Sequence, residues 1–179
     1  MVLNNYLYKV SYRDIKYPRV ELKTGKLLLV LPFGYKPNVI YDRNKDWIYR
    51  KIKFIEECLT NAKSKELIER SEEEFKRLIY KVTDEASFDL KVKISKVYFR
   101  KMRTKWASLS SFKNLTVNRF MKYLPKYLID YIIFHEIVHI IEKKHNGRFW
   151  EIISRKYNGY QKLERELFEY WFKVSGSIS

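Results

Sequence analysis

Apolar and polar positions alternate in the first part of the chain, take up a helical period near Asn44, and return to alternation near Leu90. Tyr8, Val10 and Tyr12, then Val20 and Leu22, alternate as half-buried strands do, so residues 6–31 read as β structure. Lys23-Thr24-Gly25-Lys26 has hairpin-turn chemistry, and the apolar strand Leu27–Leu31 after it stops at Pro32. Residues 33–43, with Gly34 and Pro37, read as a loop. Trp47, Ile48, Ile52, Ile55, Cys58 and Leu59 then share one helical face to about Ala62, which makes Cys58 a small core residue. A second helix is expected over residues 65–85, with Leu67, Ile68, Phe75, Leu78, Ile79 and Val82 as its apolar stripe.

Leu90–Phe99 alternates again and predicts a strand, with a bulge near Ser95. Residues 106–118 predict two short strands around a turn at Lys113-Asn114. Pro125 opens a helix over residues 125–143, in whose first turn a missing N–H costs nothing. The segment Asp130–Ile141 is apolar nearly all round, so this helix must be central and buried. Two more helices, 147–157 and 160–174, precede a frayed tail Ser175–Ser179. With no repeat, low-complexity tract or linker, residues 1–179 read as a single α+β domain. It comprises a β-hairpin region (1–43), a helical pair (44–86), and strands with the buried helix and C-terminal helices (90–175).

A chain of 179 residues with 46% apolar and 17% aromatic content is neither disordered nor fibrous. The single cysteine excludes a disulfide framework and a cysteine-based zinc site. No apolar run is long enough to span a bilayer, and Met1–Tyr12 lacks a signal-peptide core, so the expectation is a soluble, cytoplasmic protein with no membrane partner. The formal charge of +16 is uneven. Between Asp89 and Asp130 there is no acid, but there are 11 bases: Lys91, Lys93, Lys96, Arg100, Lys101, Arg103, Lys105, Lys113, Arg119, Lys122 and Lys126. Such a belt is either a solvated face or a docking surface for a polyanion.

The buried helix carries His135-Glu136-Ile137-Val138-His139, an HExxH pattern. Residues i and i+4 lie one turn apart on one face, so both imidazoles reach one cation. Glu136 is displaced about 100° around the axis, beside the cation and not on it, where a carboxylate serves as general base toward a metal-bound water. Chance placement of this pattern among the 3 histidines has a probability of about 0.3%. His145 follows six residues after His139, and Asn146-Gly147 supplies turn chemistry, so the helix ends before His145 and the chain turns back. Three neutral histidines with a fourth position open is the ligand count of a catalytic zinc site, which other divalent transition metals can also occupy. A metzincin reading fails because Glu142 stands where that class has glycine, and Met1, Met102 and Met121 all lie upstream.

These residues resemble the YgjP-like metallopeptidase family, a zincin-like group related in motif to SprT and WLM proteases. The matching elements are Lys23–Pro32, Lys45-Asp-Trp-Ile-Tyr-Arg-Lys51, Arg103-Thr-Lys-Trp-Ala-Ser108, Leu115-Thr-Val-Asn118, Pro125 with Asp130-Tyr131, the HExxH itself, and His145-Asn-Gly-Arg-Phe-Trp150. The family often has Trp-Gly-Ser-Cys where this chain has Trp106-Ala-Ser-Leu109, a departure that touches no metal ligand. The resemblance implies a zincin-like fold in which His135, His139 and His145 hold one Zn²⁺ and Glu136 is the catalytic base. It also implies that the strand holding Trp106 and Ser108 borders a cleft where a peptide pairs with it; the alternative for Trp106 is core packing. Phe149 and Trp150 are expected to clamp the helix that orients His145. Arg103, Lys105, Arg148, Tyr157 and Tyr160 are the candidate donors to a tetrahedral oxyanion.

The preferred reading is a zinc hydrolase acting on peptide or protein substrates. One alternative is a metal-dependent nucleoside triphosphate pyrophosphohydrolase, an activity also associated with the family, using the 90–129 belt to hold phosphates. The other is a nucleic-acid-associated SprT-like protease or binding protein using the same belt, whose bases interleave with Tyr98, Phe99, Trp106, Phe112, Phe120 and Tyr123. An all-histidine donor set favours zinc over Mg²⁺, which prefers oxygen.

Overall fold

The structure, a computed structural model, describes the backbone of residues 2–3, 6–23 and 26–177 and the side chains of residues 8–21 and 27–176. The chain divides into two compact units, Met1–Thr60 and Asn61–Ser179.

In the first unit, β1 (Val2–Leu3), β2 (Tyr6–Tyr12), β3 (Arg19–Lys23) and β4 (Lys26–Leu31) form one sheet in the order β1-β2-β4-β3. β4 is an inner strand, parallel to β2 and antiparallel to β3. Leu27, Leu29, Val30 and Leu31 are all buried, which explains why this strand reads as an unbroken apolar run while its neighbours alternate. The β3–β4 pairing runs to Lys23 opposite Lys26; the turn expected at Thr24-Gly25 lies outside the described residues. The loop expected over 33–43 is instead partly helical, as α1 (Pro37–Arg43). Pro37 fits the first helical position, Ile40 and Tyr41 turn inward, and Asn44 closes the helix by donating its side-chain amide to Ile40 O at 2.8 Å. α2 (Lys45–Lys63) follows, with Ile48, Ile55 and Cys58 buried as its periodicity predicts.

The second unit is built around α4 (Lys126–Val138), whose Leu128, Ile129, Tyr131, Ile132, Ile133, Phe134, Ile137 and Val138 are all buried. It packs against α3 (Glu72–Asp89), α5 (Gly147–Lys156), α6 (Tyr160–Ser177) and a three-stranded sheet. That sheet has the order β5-β7-β6, with β5 (Lys96–Arg100) parallel and β6 (Ala107–Leu109) antiparallel to the central β7 (Asn114–Asn118). Lys113 at the β6–β7 turn takes a left-handed φ of 58°, in the turn that the sequence predicts there.

Four boundaries differ from the sequence reading. α3 starts at Glu72, not near Lys65, so Leu67 and Ile68 precede the helix. Ser71 and Glu74 form a reciprocal capping box: Ser71 Oγ accepts from the Glu74 amide at 3.2 Å and Glu74 Oε2 from the Ser71 amide at 2.8 Å. The extended segment ahead of it is tied down by Arg70, which donates to Lys122 O at 2.6 Å and Leu124 O at 2.7 Å. The strand expected from Leu90 begins only at Lys96, because α3 runs to Asp89 and closes through Lys91 at φ 54°. Leu90, Val92 and Ile94 still pack on the core, from an irregular segment. α4 stops at Val138 rather than near residue 143, with His139 as its C-cap. α6 continues to Ser177, past Val174, so Ser175–Ser177 are helical and not a frayed tail.

Asn118 is fully buried at the end of β7 and organises the loop between β5 and β6. Its Nδ2 donates to Met102 O at 2.8 Å and Lys105 O at 2.7 Å, while Oδ1 accepts from the Met102 and Phe120 amides at 3.3 and 3.2 Å. A buried amide satisfied on both atoms fixes its loop, because any rearrangement strands polar groups without water. The loop so fixed delivers β6 alongside α4. Among the described residues no helix is long and apolar enough to cross a membrane.

Candidate metal centre

The apolar surface of α4 buries its length, which leaves His135, Glu136 and His139 half-buried at its C-terminal end. His139 keeps helical dihedrals as the C-cap, so the one-turn spacing to His135 survives although the helix stops. Turns then carry the chain to His145, and Asn146 starts α5 at once, its Oδ1 accepting from the Phe149 amide at 3.1 Å. The ligand nitrogens of His135, His139 and His145 lie within 4.8 Å of one another, and Nε2 of His135 is 3.0 Å from Nε2 of His145. Two nitrogens bound tetrahedrally to zinc at about 2.1 Å are about 3.4 Å apart, so the donor set fits that ion.

The rings are held by what surrounds them. Phe149, fully buried, lies 4.9, 4.8 and 4.6 Å from the rings of His135, His139 and His145. Trp150 stacks on His145 at 5.5 Å and is itself stacked by Tyr160 at 4.6 Å. Nδ1 of His139 faces Glu142 O at 3.1 Å, a contact that fixes Nδ1–H as the donor and leaves Nε2 for a metal. Burial, reinforced by the neighbouring His145 and His139, pushes His135 down to about 3, so its ring is neutral at physiological pH and needs no proton removed before ligation. Burial also raises the Glu136 carboxyl above its ordinary value, opposed by His139, the Leu109 amide and Lys105.

The histidines and Glu136 open into a cleft of about 630 Å³. One wall is β6. Asn118 N donates to Trp106 O at 2.8 Å and Ser110 N to Asn114 O at 3.0 Å, so Trp106, Ser108 and Ser110 turn their backbone toward β7. Ala107 and Leu109 therefore turn theirs to the free edge, where the Leu109 amide meets Glu136. Lys105, Trp106, Ser108 and Lys143 also line the cleft. Trp106 does double duty, with its ring edge-on to Trp171 at 4.9 Å. Arg103 and Arg148 are exposed and are not among the cleft-lining residues. Tyr157 packs on Tyr131 and Phe134 at 5.3 and 5.4 Å, and Tyr160 backs Trp150, so neither ring lines the cleft.

Sequence reasoning misses Glu164 of α6. Its carboxylate accepts a hydrogen bond from the buried Tyr131 hydroxyl and lies 3.6 Å from Nδ1 of His135. With His135 neutral this contact is not an ion pair; the carboxylate faces the Nδ1 side of the ring from α6, where a carboxylate partner orients a metal-binding imidazole when the two close to hydrogen-bond distance. Glu164→Gln is expected to weaken zinc binding about 10-fold or more, measured by competition with a chromophoric chelator. An unchanged affinity would show that His135 is oriented without it.

A family model described as YgjP-like, metallopeptidase domain, matches residues 16–170. Two solved structures are similar. The metallopeptidase zymogen abylysin of Pyrococcus abyssi is 19% identical, with 50% of this chain and 90% of that one covered and a TM-score of 0.46. The metallopeptidase zymogen jannalysin of Methanocaldococcus jannaschii is 25% identical, with 56% and 90% covered and a TM-score of 0.45. A search of curated proteins gives no match.

Proposed function

Because the chain belongs to the YgjP-like metallopeptidase family, we propose that it hydrolyses peptide bonds, with zinc held by His135, His139 and His145 and with Glu136 as general base. The observation that supports this most is the convergence of three donor nitrogens and a half-buried carboxylate in a cleft bordered by an unpaired strand edge. When bound, zinc supplies Lewis acidity toward a carbonyl oxygen and lowers the pKa of a coordinated water.

The rest falls to the protein's own groups. The outward main-chain groups of Ala107 and Leu109 align an extended substrate along β6. Glu136, displaced from the ligand positions, takes a proton from the attacking water and returns it to the leaving amine; its raised affinity for that proton suits both transfers. Of the five oxyanion donors considered from the sequence, Lys105 lines the cleft and is the one we assign. A nucleotide hydrolase working through Mg²⁺ calls for oxygen ligands, whereas the cluster here is all nitrogen. The test is cleavage of unfolded protein and a fluorogenic peptide library by zinc-loaded protein, abolished by a chelator and restored by added zinc. Release of pyrophosphate from nucleoside triphosphates, with every peptide left intact, would overturn the proposal.

A further inference from the structure

Apart from Lys105, which lines the metal-centre cleft, the acid-free belt is not used there, and its charges are largely unanswered. Of its 11 bases, Lys122 pairs with Glu72 and Lys126 with Asp130, which leaves 9 (11 − 2) without an ion pair among the described residues. β5 carries two of them, Lys96 and Arg100. It is the sheet edge away from β6, and its residues alternate between the core and solvent. Val97 and Phe99 pack inward, Phe99 against Phe75 and Tyr80 of α3, while Lys96, Tyr98 and Arg100 are exposed. Arg100 lies 5.9 Å over the Tyr98 ring, and across the ladder Asn114 and Thr116 continue the polar face.

Charged residues on an edge strand protect against sheet-to-sheet aggregation, which accounts for Lys96 and Arg100. It does not account for an aromatic ring that is 39% exposed between them. Nor does it account for the second cavity, about 390 Å³, which opens along this edge between α3 and β5. Tyr80 and Tyr98 line it together with Lys96, Asp84 and Thr83. Thr83 is 3% exposed, and its Oγ1 is buried without a hydrogen-bond partner. That hydroxyl is covered by the wall itself, so the groups the cavity offers a ligand are Tyr80, Tyr98, Lys96 and Asp84.

We propose that the free edge and outer face of β5 bind single-stranded nucleic acid. Lys96 and Arg100 contact phosphates, Tyr98 stacks on a base, and the α3–β5 cavity takes a neighbouring base within reach of Tyr80 and Asp84. A positive, solvent-facing strand with an aromatic platform and an adjoining cavity suits a flexible chain of bases and phosphates. An acidic protein would satisfy the charges but not the ring or the cavity. The two edges of the sheet then serve two ligands, and this site does not depend on the metal centre.

The test uses the full chain and a fluorescein-labelled oligothymidylate, read by anisotropy. Contact with about four phosphates, at a slope of about 0.7 per phosphate, weakens binding about 50-fold between about 50 and 200 mM salt. Tyr98→Ala is expected to weaken binding about 10-fold at unchanged salt slope, whereas Tyr98→Phe keeps the ring and the affinity. Lys96→Glu with Arg100→Glu flattens the slope. Absence of binding at the lower salt, equal displacement by polyglutamate, or Tyr98→Ala binding as tightly as wild type would each overturn the proposal.

Discussion

Glu136→Gln is expected to lower kcat/KM for peptide hydrolysis about 10³-fold or more while leaving zinc bound at one ion per chain. The two halves of this expectation have separate causes. The amide keeps the shape of the carboxylate and can still accept from the Leu109 main chain, but it has no basic oxygen to take a proton from water. In the proposed site the metal is held by His135, His139 and His145 and not by Glu136, so the substitution leaves that donor set intact. A further consequence separates this variant from a damaged one. Burial makes the charged form of Glu136 costly, and a neutral amide avoids that cost, so Glu136→Gln is expected to melt at or above the wild-type temperature. Activity within tenfold of wild type would move the general base to another group.

The grouping of the three histidines was legible because they are local in sequence. One helical turn separates His135 from His139, and a single reversal returns His145, so spacing alone brings them together. Glu164 comes from a different helix, and only tertiary packing places it beside His135; nothing in its surrounding sequence differs from an ordinary amphipathic helix. The oxyanion candidates failed to separate for a related reason. Arg103 and Lys105 lie two residues apart on one loop, and what distinguishes them is the path that Asn118 imposes, which no periodicity reports.

The same distinction governs the fold. α2 is long enough to display its period and α4 is a long apolar run opened by Pro125, whereas α1 has 7 residues and shows less than two full turns of any stripe. Leu67 and Ile68 lie in helical phase with Phe75, yet Ser71 and Glu74 carry the Ser-x-x-Glu signature that overrides the phase by offering the first amides a better partner. Leu90, Val92 and Ile94 alternate because an irregular segment against a core buries every second side chain much as a strand does. Alternation reports one-sided burial, and the ladder has to be established separately.

His139→Ala is expected to abolish tight zinc binding and, with it, the stabilisation that zinc confers on the wild type. A ligand present at about 1,000 times its dissociation constant stabilises the folded state by about 4 kcal/mol, or about 10 °C in melting temperature for a chain of this size. The wild type should therefore show that increment when zinc is added, and His139→Ala should show almost none. The metal-free forms should differ by less than that increment, because His139 is half-buried at a helix end, with a side-chain hydrogen bond to Glu142 O and ring contacts to Phe149 and the other two histidines. Differential scanning fluorimetry with and without zinc, run beside metal analysis, reads both quantities. The contrast with Glu136→Gln is what gives the pair its force: one variant loses ion, increment and activity together, and the other loses activity alone. If His139→Ala kept the zinc increment, the ion that stabilises the protein would be bound elsewhere, and the three histidines would no longer explain either the stability or the chemistry.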